Sequence, residues 1–220
     1  MDPKENIEKL INDKQVQFRD FKLANIETRK NDEGKEELVI EGIPATFEQE
    51  TVLYKSKYYE DREKIAYGAF DACDMSDVIF NYNHSGRVYA RTRNKSLEVW
   101  VENDGLHMRA TLNAEDQGHQ ELYRDIKSGL IDKMSFAFHV EEASWDFKMV
   151  DGEEYEIDTR TITKIDKLYD VSAVDIPAYD TTSISARGAF DAERERRNAE
   201  SIKAKEQLEL EKRKLLLLMM

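Results

Sequence analysis

Between Ile79 and Leu112 the chain packs four short runs of alternating apolar and polar residues between turns of only a few residues. The first, Ile79-Phe80-Asn81-Tyr82-Asn83-His84, ends at a loop that begins Ser85-Gly86. Val88–Thr92 follows and turns at Asn94-Lys95 into Leu97–Glu102, which turns at Asn103-Asp104-Gly105 into Leu106–Leu112. Side chains that alternate with a period of two belong to strands with one face on a core. Connections this short join antiparallel neighbours, and an Asp-Gly pair between such runs is a strong hairpin signal. The centre of the chain therefore reads as an antiparallel meander.

The flanks extend this β-rich reading. Asn31-Asp32-Glu33-Gly34 is a turn between strands Phe21–Ile26 and Leu38–Phe47. Residues 50 to 78 are polar and mixed, and read as loop with a helical turn. Leu122, Ile126 and Leu130 repeat every four residues, which predicts a helix with Gly129 at its C-terminal cap. Directly after it, Met134, Phe136, Phe138 and Val140 point one way along a strand, and Ser135, Ala137 and His139 the other. A polar hairpin around Asp151-Gly152 spans 144 to 166, and a further strand, Lys167–Ile176, stops at Pro177. The fold class is a β-rich α+β domain.

The ends differ from this middle. Ile7, Leu10 and Ile11 give residues 5 to 18 a short amphipathic pattern, read as a marginal helix or an arm. Residues 189 to 214 are nearly all charge, Ala and Leu, without Pro or Gly, which predicts a helical or disordered tail. Ile202, Leu208, Leu210 and Leu215 hold no sustained heptad. The organisation read from the sequence is an arm at 1–20, a domain at 21–187 and a charged tail at 188–220. The tail reads first as a solvated extension and second as a docking arm.

Composition narrows the function. A length of 220 residues at 40% hydrophobic content supports one domain with a real core and an appendage. A net charge of -13 repels phosphate backbones, so nucleic-acid binding is not expected, and basic partners are favoured. The start, Met1-Asp2-Pro3-Lys4-Glu5, lacks the basic and apolar regions of a secretory signal. The longest apolar run, Leu215 to Met220, is too short to span a bilayer, so no membrane role is expected. A single cysteine, Cys73, excludes an internal disulfide framework and a cysteine-based zinc site. Its acidic surroundings, Asp71-Ala72-Cys73-Asp74, would raise the thiol pKa and disfavour a nucleophile.

The remaining chemistry rests on few residues. The histidines are His84, His107, His119 and His139. His84, at a strand end beside Asn and Gly, is the best placed to face a cleft. Ser135 lies within an aromatic strand, where the plain reading is a small residue on the less packed face. Asp170 and Ser172 share one face of their strand, and a carboxylate inside an apolar strand is costly to bury unless paired. His107 and His119 are not four apart on a helix, and a His-Glu-x-x-His pattern is lacking, so no metal is expected. Gly86, Gly105 and Gly129 are isolated, which gives no phosphate-binding loop. The many carboxylates form no recognisable pair for general acid–base work.

Three segments in order carry a resemblance. They are Asn81-Tyr82-Asn83-His84, the run Ser128-Gly129-Leu130-Ile131-Asp132-Lys133-Met134-Ser135-Phe136-Ala137-Phe138, and Leu168-Tyr169-Asp170-Val171-Ser172-Ala173-Val174-Asp175-Ile176-Pro177-Ala178-Tyr179. Together they resemble the prohead (head maturation) protease family of tailed bacteriophages with HK97-type capsids, over roughly residues 35 to 187. Each segment is short, and the specificity lies in the combination.

The resemblance implies a fold shared with the herpesvirus assembly proteases: a closed or partly closed antiparallel β-barrel with a few surrounding helices. It implies a serine endopeptidase with His84 as general base, Ser135 as nucleophile and Asp170 as third member, working without a cofactor. The Pro177-Ala178-Tyr179 turn is the candidate source of oxyanion-binding amides. The implied substrates are the scaffolding segment of the major capsid protein precursor and the protease itself, inside the procapsid in the host cytoplasm. A homodimer is an option that the herpesvirus analogy offers and no residue argues for. The alternative reading is a non-catalytic scaffolding or capsid-assembly protein with a protease-like fold.

Overall fold

The computed structural model describes residues 16–30, 36–150, 155–175 and 179–218. Its elements run β1 (Val16–Lys30), β2 (Glu36–Thr46), β3 (Thr51–Lys55), β4 (Tyr59–Ile65), β5 (Ile79–Tyr82), β6 (Ser85–Arg91), β7 (Leu97–Val101) and β8 (Gly105–Asn113). Then come helix α1 (Gln117–Lys127), the long strands β9 (Lys133–Val150) and β10 (Tyr155–Val174), and helix α2 (Tyr179–Leu218). The expected amphipathic arm falls mostly on residues 1–15, outside the described residues; Val16 onward is already strand.

The strands pair in the order β3-β4-β10-β9-β1-β2-β8-β7, with β5 and β6 branching from β10. This corrects the expected barrel: among the described residues the end strands β3 and β7 do not pair, so the sheet is not closed. The reason lies in β10. Its first half takes β4 as a parallel neighbour and its last residues take β5 on the same terms. The β5–β6 hairpin thus becomes a side branch instead of a link in a ring.

Three further expectations change. Strand β6 pairs with β5 and β7 with β8, so the central run is two separate hairpins and not one meander. The polar hairpin at 144–166 and the strand after it are one long hairpin, with β9 and β10 paired from Tyr155↔Val150 to Val174↔Lys133. The segment read as loop at 50–78 contains β3 and β4. Strand β4 escapes a hydrophobicity reading because it buries acids: Glu60, Asp61 and Glu63 are buried. Ion pairs make that tolerable. Lys55 lies 2.9 Å and Arg62 2.6 Å from Glu60, and Arg160 of β10 lies 3.2 Å from Glu63.

The core takes the alternation of β9 literally. Met134, Phe136 and Phe138 are wholly buried beside Ile40, Met108, Ile165 and Leu168. Phe136 stacks on Phe138 with centroids 4.6 Å apart and meets Phe70 at 6.4 Å. Replacing Phe136 by Ala is expected to cost about 3–5 kcal/mol, because the cavity adds to the lost transfer energy. Urea unfolding monitored by circular dichroism checks this.

Helix α1 forms where the four-residue repeat placed it. Asp116 caps its start by accepting from the His119 amide, and Leu122, Tyr123 and Ile126 face the core. Its end is a Schellman turn: Gly129 sits at φ +77°, its amide donates to Ile126 O, and the Leu130 amide donates to Asp125 O. Ser128 is the cap, and Gly129 follows it. That turn delivers the chain straight into β9.

The chain divides into two compact units, one through Ser185 and one from Ala186. In the second, α2 carries the charges along its surface as local pairs, Arg196 with Glu193 and Glu200, and Lys212 with Glu209. Such pairs contribute only a few tenths of a kcal/mol each. Among the described residues, no helix is long and apolar enough to cross a membrane.

Candidate functional site

His84 is placed by a turn that the sequence reading set two residues too late. Tyr82 pairs with Ser85, so Asn83 and His84 form a two-residue hairpin loop. Their φ values are +52° and +53°. A tight primed turn requires positive φ at both central residues; Asn tolerates this well, whereas a histidine there stores strain. Ser85 is already in β6, and the Gly86 that suggested the turn sits at φ +73° within a register slip, where Asn81 faces Val88.

The turn is fastened to the end of β10. The Asn83 amide donates to Ala173 O at 2.9 Å, and the Asp175 amide donates to Asn83 Oδ1 at 3.2 Å. Tyr82 donates its hydroxyl to Asp175 Oδ2 at 2.9 Å. So held, His84 brings Nδ1 to 2.7 Å from Oδ1 of Asp170. Both side chains are nearly buried, at 11% and 10% exposed, which removes most of the solvent screening that weakens surface pairs.

Ser135 enters from the neighbouring strand. It is wholly buried and pairs directly with Ser172 across β9 and β10, while Ser172 pairs with Asn81 across β10 and β5. Residues opposite one another in an antiparallel pair project to the same face, with Cβ atoms about 4.5–5.5 Å apart. Ser135, Ser172, Asp170 and Asn81 therefore share one face, opposite to the Met134, Phe136 and Phe138 face. The Ser135 hydroxyl has no hydrogen-bond partner among the described residues. Buried hydroxyls are rarely left so.

Ser172 and Asn81 are the residues the sequence reading passed over. The Ser172 hydroxyl donates to Asn81 Oδ1, and its oxygen lies 3.1 Å from Asp170 Oδ1 and 3.2 Å from His84 Nδ1. The only sequence signal was the shared face of Asp170 and Ser172.

The other histidines lie elsewhere. His139 meets Asp166 at 2.5 Å, but those side chains are 25% and 44% exposed. His119 Nδ1 accepts from the Asn113 amide beside α1, and burial lowers its pKa. His107 binds Asp104 at 2.7 Å and stacks on Trp100. Glu102, Asp104 and His107 form the one cluster among the described residues whose ligand atoms could converge on a metal, and both acids are exposed. The Pro177-Ala178 part of the oxyanion candidate lies outside the described residues, and Tyr179 opens α2.

Cys73 is half-buried, and burial first, then Asp166 and Asp74, pushes its thiol up to about 12. It is therefore neutral at physiological pH. Alkylation by iodoacetamide at pH 8 is expected to be slower by at least about tenfold in the native chain than in urea, because only the thiolate reacts. Mass spectrometry of quenched samples reads this directly.

A search of curated proteins gives no match to this chain. Among solved structures, the chain is similar to the bacteriophage T4 capsid assembly protease, gp21, at 17% identity and a TM-score of 0.43, over 74% of this chain and 98% of that one. The sequence profile of the family described as caudovirus prohead serine protease matches residues 24–196, well over half the chain. The chain belongs to the caudovirus prohead serine protease family.

Proposed function

We propose that this chain is a capsid-maturation serine endopeptidase, with Ser135 as nucleophile, His84 as general base and Asp170 as the group that orients His84. The observation that carries this reading is the buried His84–Asp170 pair at 2.7 Å, one strand from a buried serine hydroxyl on the same sheet face. A serine hydroxyl becomes an effective nucleophile when a base takes its proton. A neutral imidazole protonated at Nδ1 presents Nε2 as that base, and a carboxylate on Nδ1 holds this tautomer and stabilises the imidazolium that forms.

In the reaction, Ser135 Oγ attacks the scissile carbonyl while His84 takes the hydroxyl proton. His84 returns that proton to the leaving amine, leaving an acyl-enzyme. Water, deprotonated by His84, then releases the acid and regenerates Ser135. No cofactor is needed. The substrate that family membership favours is the scaffolding segment of the capsid precursor, together with the protease itself, within the procapsid. Because Ser135 is wholly buried, a peptide must displace part of its cover before attack.

Incubating the chain with the capsid precursor, inside assembled procapsids, and recording intact masses over time tests the proposal. Discrete fragments of the precursor are expected. An unprocessed precursor in procapsids that contain the chain would overturn it and favour a non-catalytic assembly role.

A further inference from the structure

We propose that Ser172, itself held by Asn81, is a positioning residue of this site: it fixes the Asp170 carboxylate and, through it, the Nδ1-protonated form of His84. The inference rests on the protease reading above and extends it to residues outside the triad.

Ser172 lies at the centre of a three-strand row. Asn81 of β5, Ser172 of β10 and Ser135 of β9 are successive register partners, so Ser172 stands between the turn that carries His84 and the strand that carries Ser135. Ser172 is wholly buried, and Asn81 and Asp170 nearly so. Burial makes each of these hydrogen bonds costly to lose.

The contacts also say which role Ser172 can take. Its hydroxyl approaches His84 at Nδ1, the nitrogen already engaged by Asp170. A nucleophile must meet the basic nitrogen, Nε2, so Ser172 is poorly placed to be one. It is well placed to hold the carboxylate. With the proton on Nδ1, His84 donates to Asp170 Oδ1, and Ser172 at 3.1 Å is a second donor to the same oxygen.

One hydroxyl proton cannot serve Asn81 and Asp170 at once. A half-turn of the Asn81 amide exchanges Oδ1 for Nδ2 and resolves the competition. Asn81 then donates to Ser172, Ser172 to Asp170, and His84 to Asp170. Each of these three donations then has its own donor proton. The two ends of an amide have nearly the same shape, so the half-turn needs no other movement. The carboxylate, with two donors on one oxygen, then has one orientation.

The test uses the full chain with histidine labelled by 15N, in a Ser135→Ala background that blocks self-cleavage, and the His84 signals assigned by their loss in His84→Asn. The 15N shifts report which ring nitrogen carries the proton. Nδ1–H is expected with Ser172 present, and a mixture of tautomers with Ser172→Ala. Ser172→Cys, nearly isosteric and a weaker donor, should fall between the two, and it covers the case in which the alanine variant does not fold. With Ser135 intact, Ser172→Ala should lower kcat on the capsid precursor about 10- to 100-fold with KM little changed, as expected for misplaced catalytic groups. A His84 tautomer indifferent to both substitutions, with kcat unaltered, would overturn the inference. If the tautomer responds but the unaltered chain cleaves nothing, the positioning role stands and the protease reading falls.

Discussion

Ser135→Ala is expected to abolish cleavage of the capsid precursor and of the chain itself while leaving the fold at least as stable. The rate effect should be large, on the order of 10^4-fold or more in kcat, because loss of a triad nucleophile leaves only binding and electrostatic stabilisation. The stability effect should be small or favourable. The Ser135 hydroxyl is buried with no hydrogen-bond partner among the described residues, so removing it relieves a desolvated polar group. A serine that served only packing would behave differently: its loss would not affect cleavage. Intact-mass time courses and thermal unfolding of the two proteins, side by side, separate these cases. Cleavage at the wild-type rate by the variant would remove Ser135 from the mechanism.

Asp170→Asn is the second large effect expected. The amide fits the space of the carboxylate, yet it can present N–H to Nδ1 and so favour the tautomer in which Nε2 carries the proton. A base already protonated cannot accept from Ser135, and a fall of about 10^4-fold in kcat follows. The natural control is Asp166→Asn. Asp166 also binds a histidine, His139, at 2.5 Å, but in a more exposed pair, and its loss should leave kcat within about twofold, since exposed pairs contribute little. Equal loss from the two substitutions would mean that burial does not distinguish the proposed catalytic His–Asp pair from the exposed one.

Several residues of the candidate site were legible before the structure. The alternation of β9 by itself made Ser135 only a small residue on the less packed face, and the motif it shares with a known family is what singled it out. Asp170 stood out as a carboxylate in an apolar strand. Ser172 and Asn81 did not stand out, because a serine and an asparagine in strands are ordinary until their partners are known. Ser172 reaches Asn81 across 91 positions of sequence, and no local pattern encodes that contact. Strand β4 was missed for a related reason. Its buried acids are tolerated by cations on β3, on β10 and within β4 itself, and only the pairing of strands brings the first two into reach.

What the sequence determined by itself is what short-range physics controls. The β5–β6 and β7–β8 hairpins, the helix ended by Gly129 and the two-faced strand β9 follow from alternation, turn chemistry and a left-handed glycine, each acting within a few residues. What only the tertiary structure decided is which strands lie side by side. The parallel pairing of β5 with β10 joins residues 91 positions apart, places His84 against Asp170 and leaves the sheet open where a barrel was expected. That choice depends on the summed burial and hydrogen bonding of every competing arrangement, a quantity that no single segment of the chain carries.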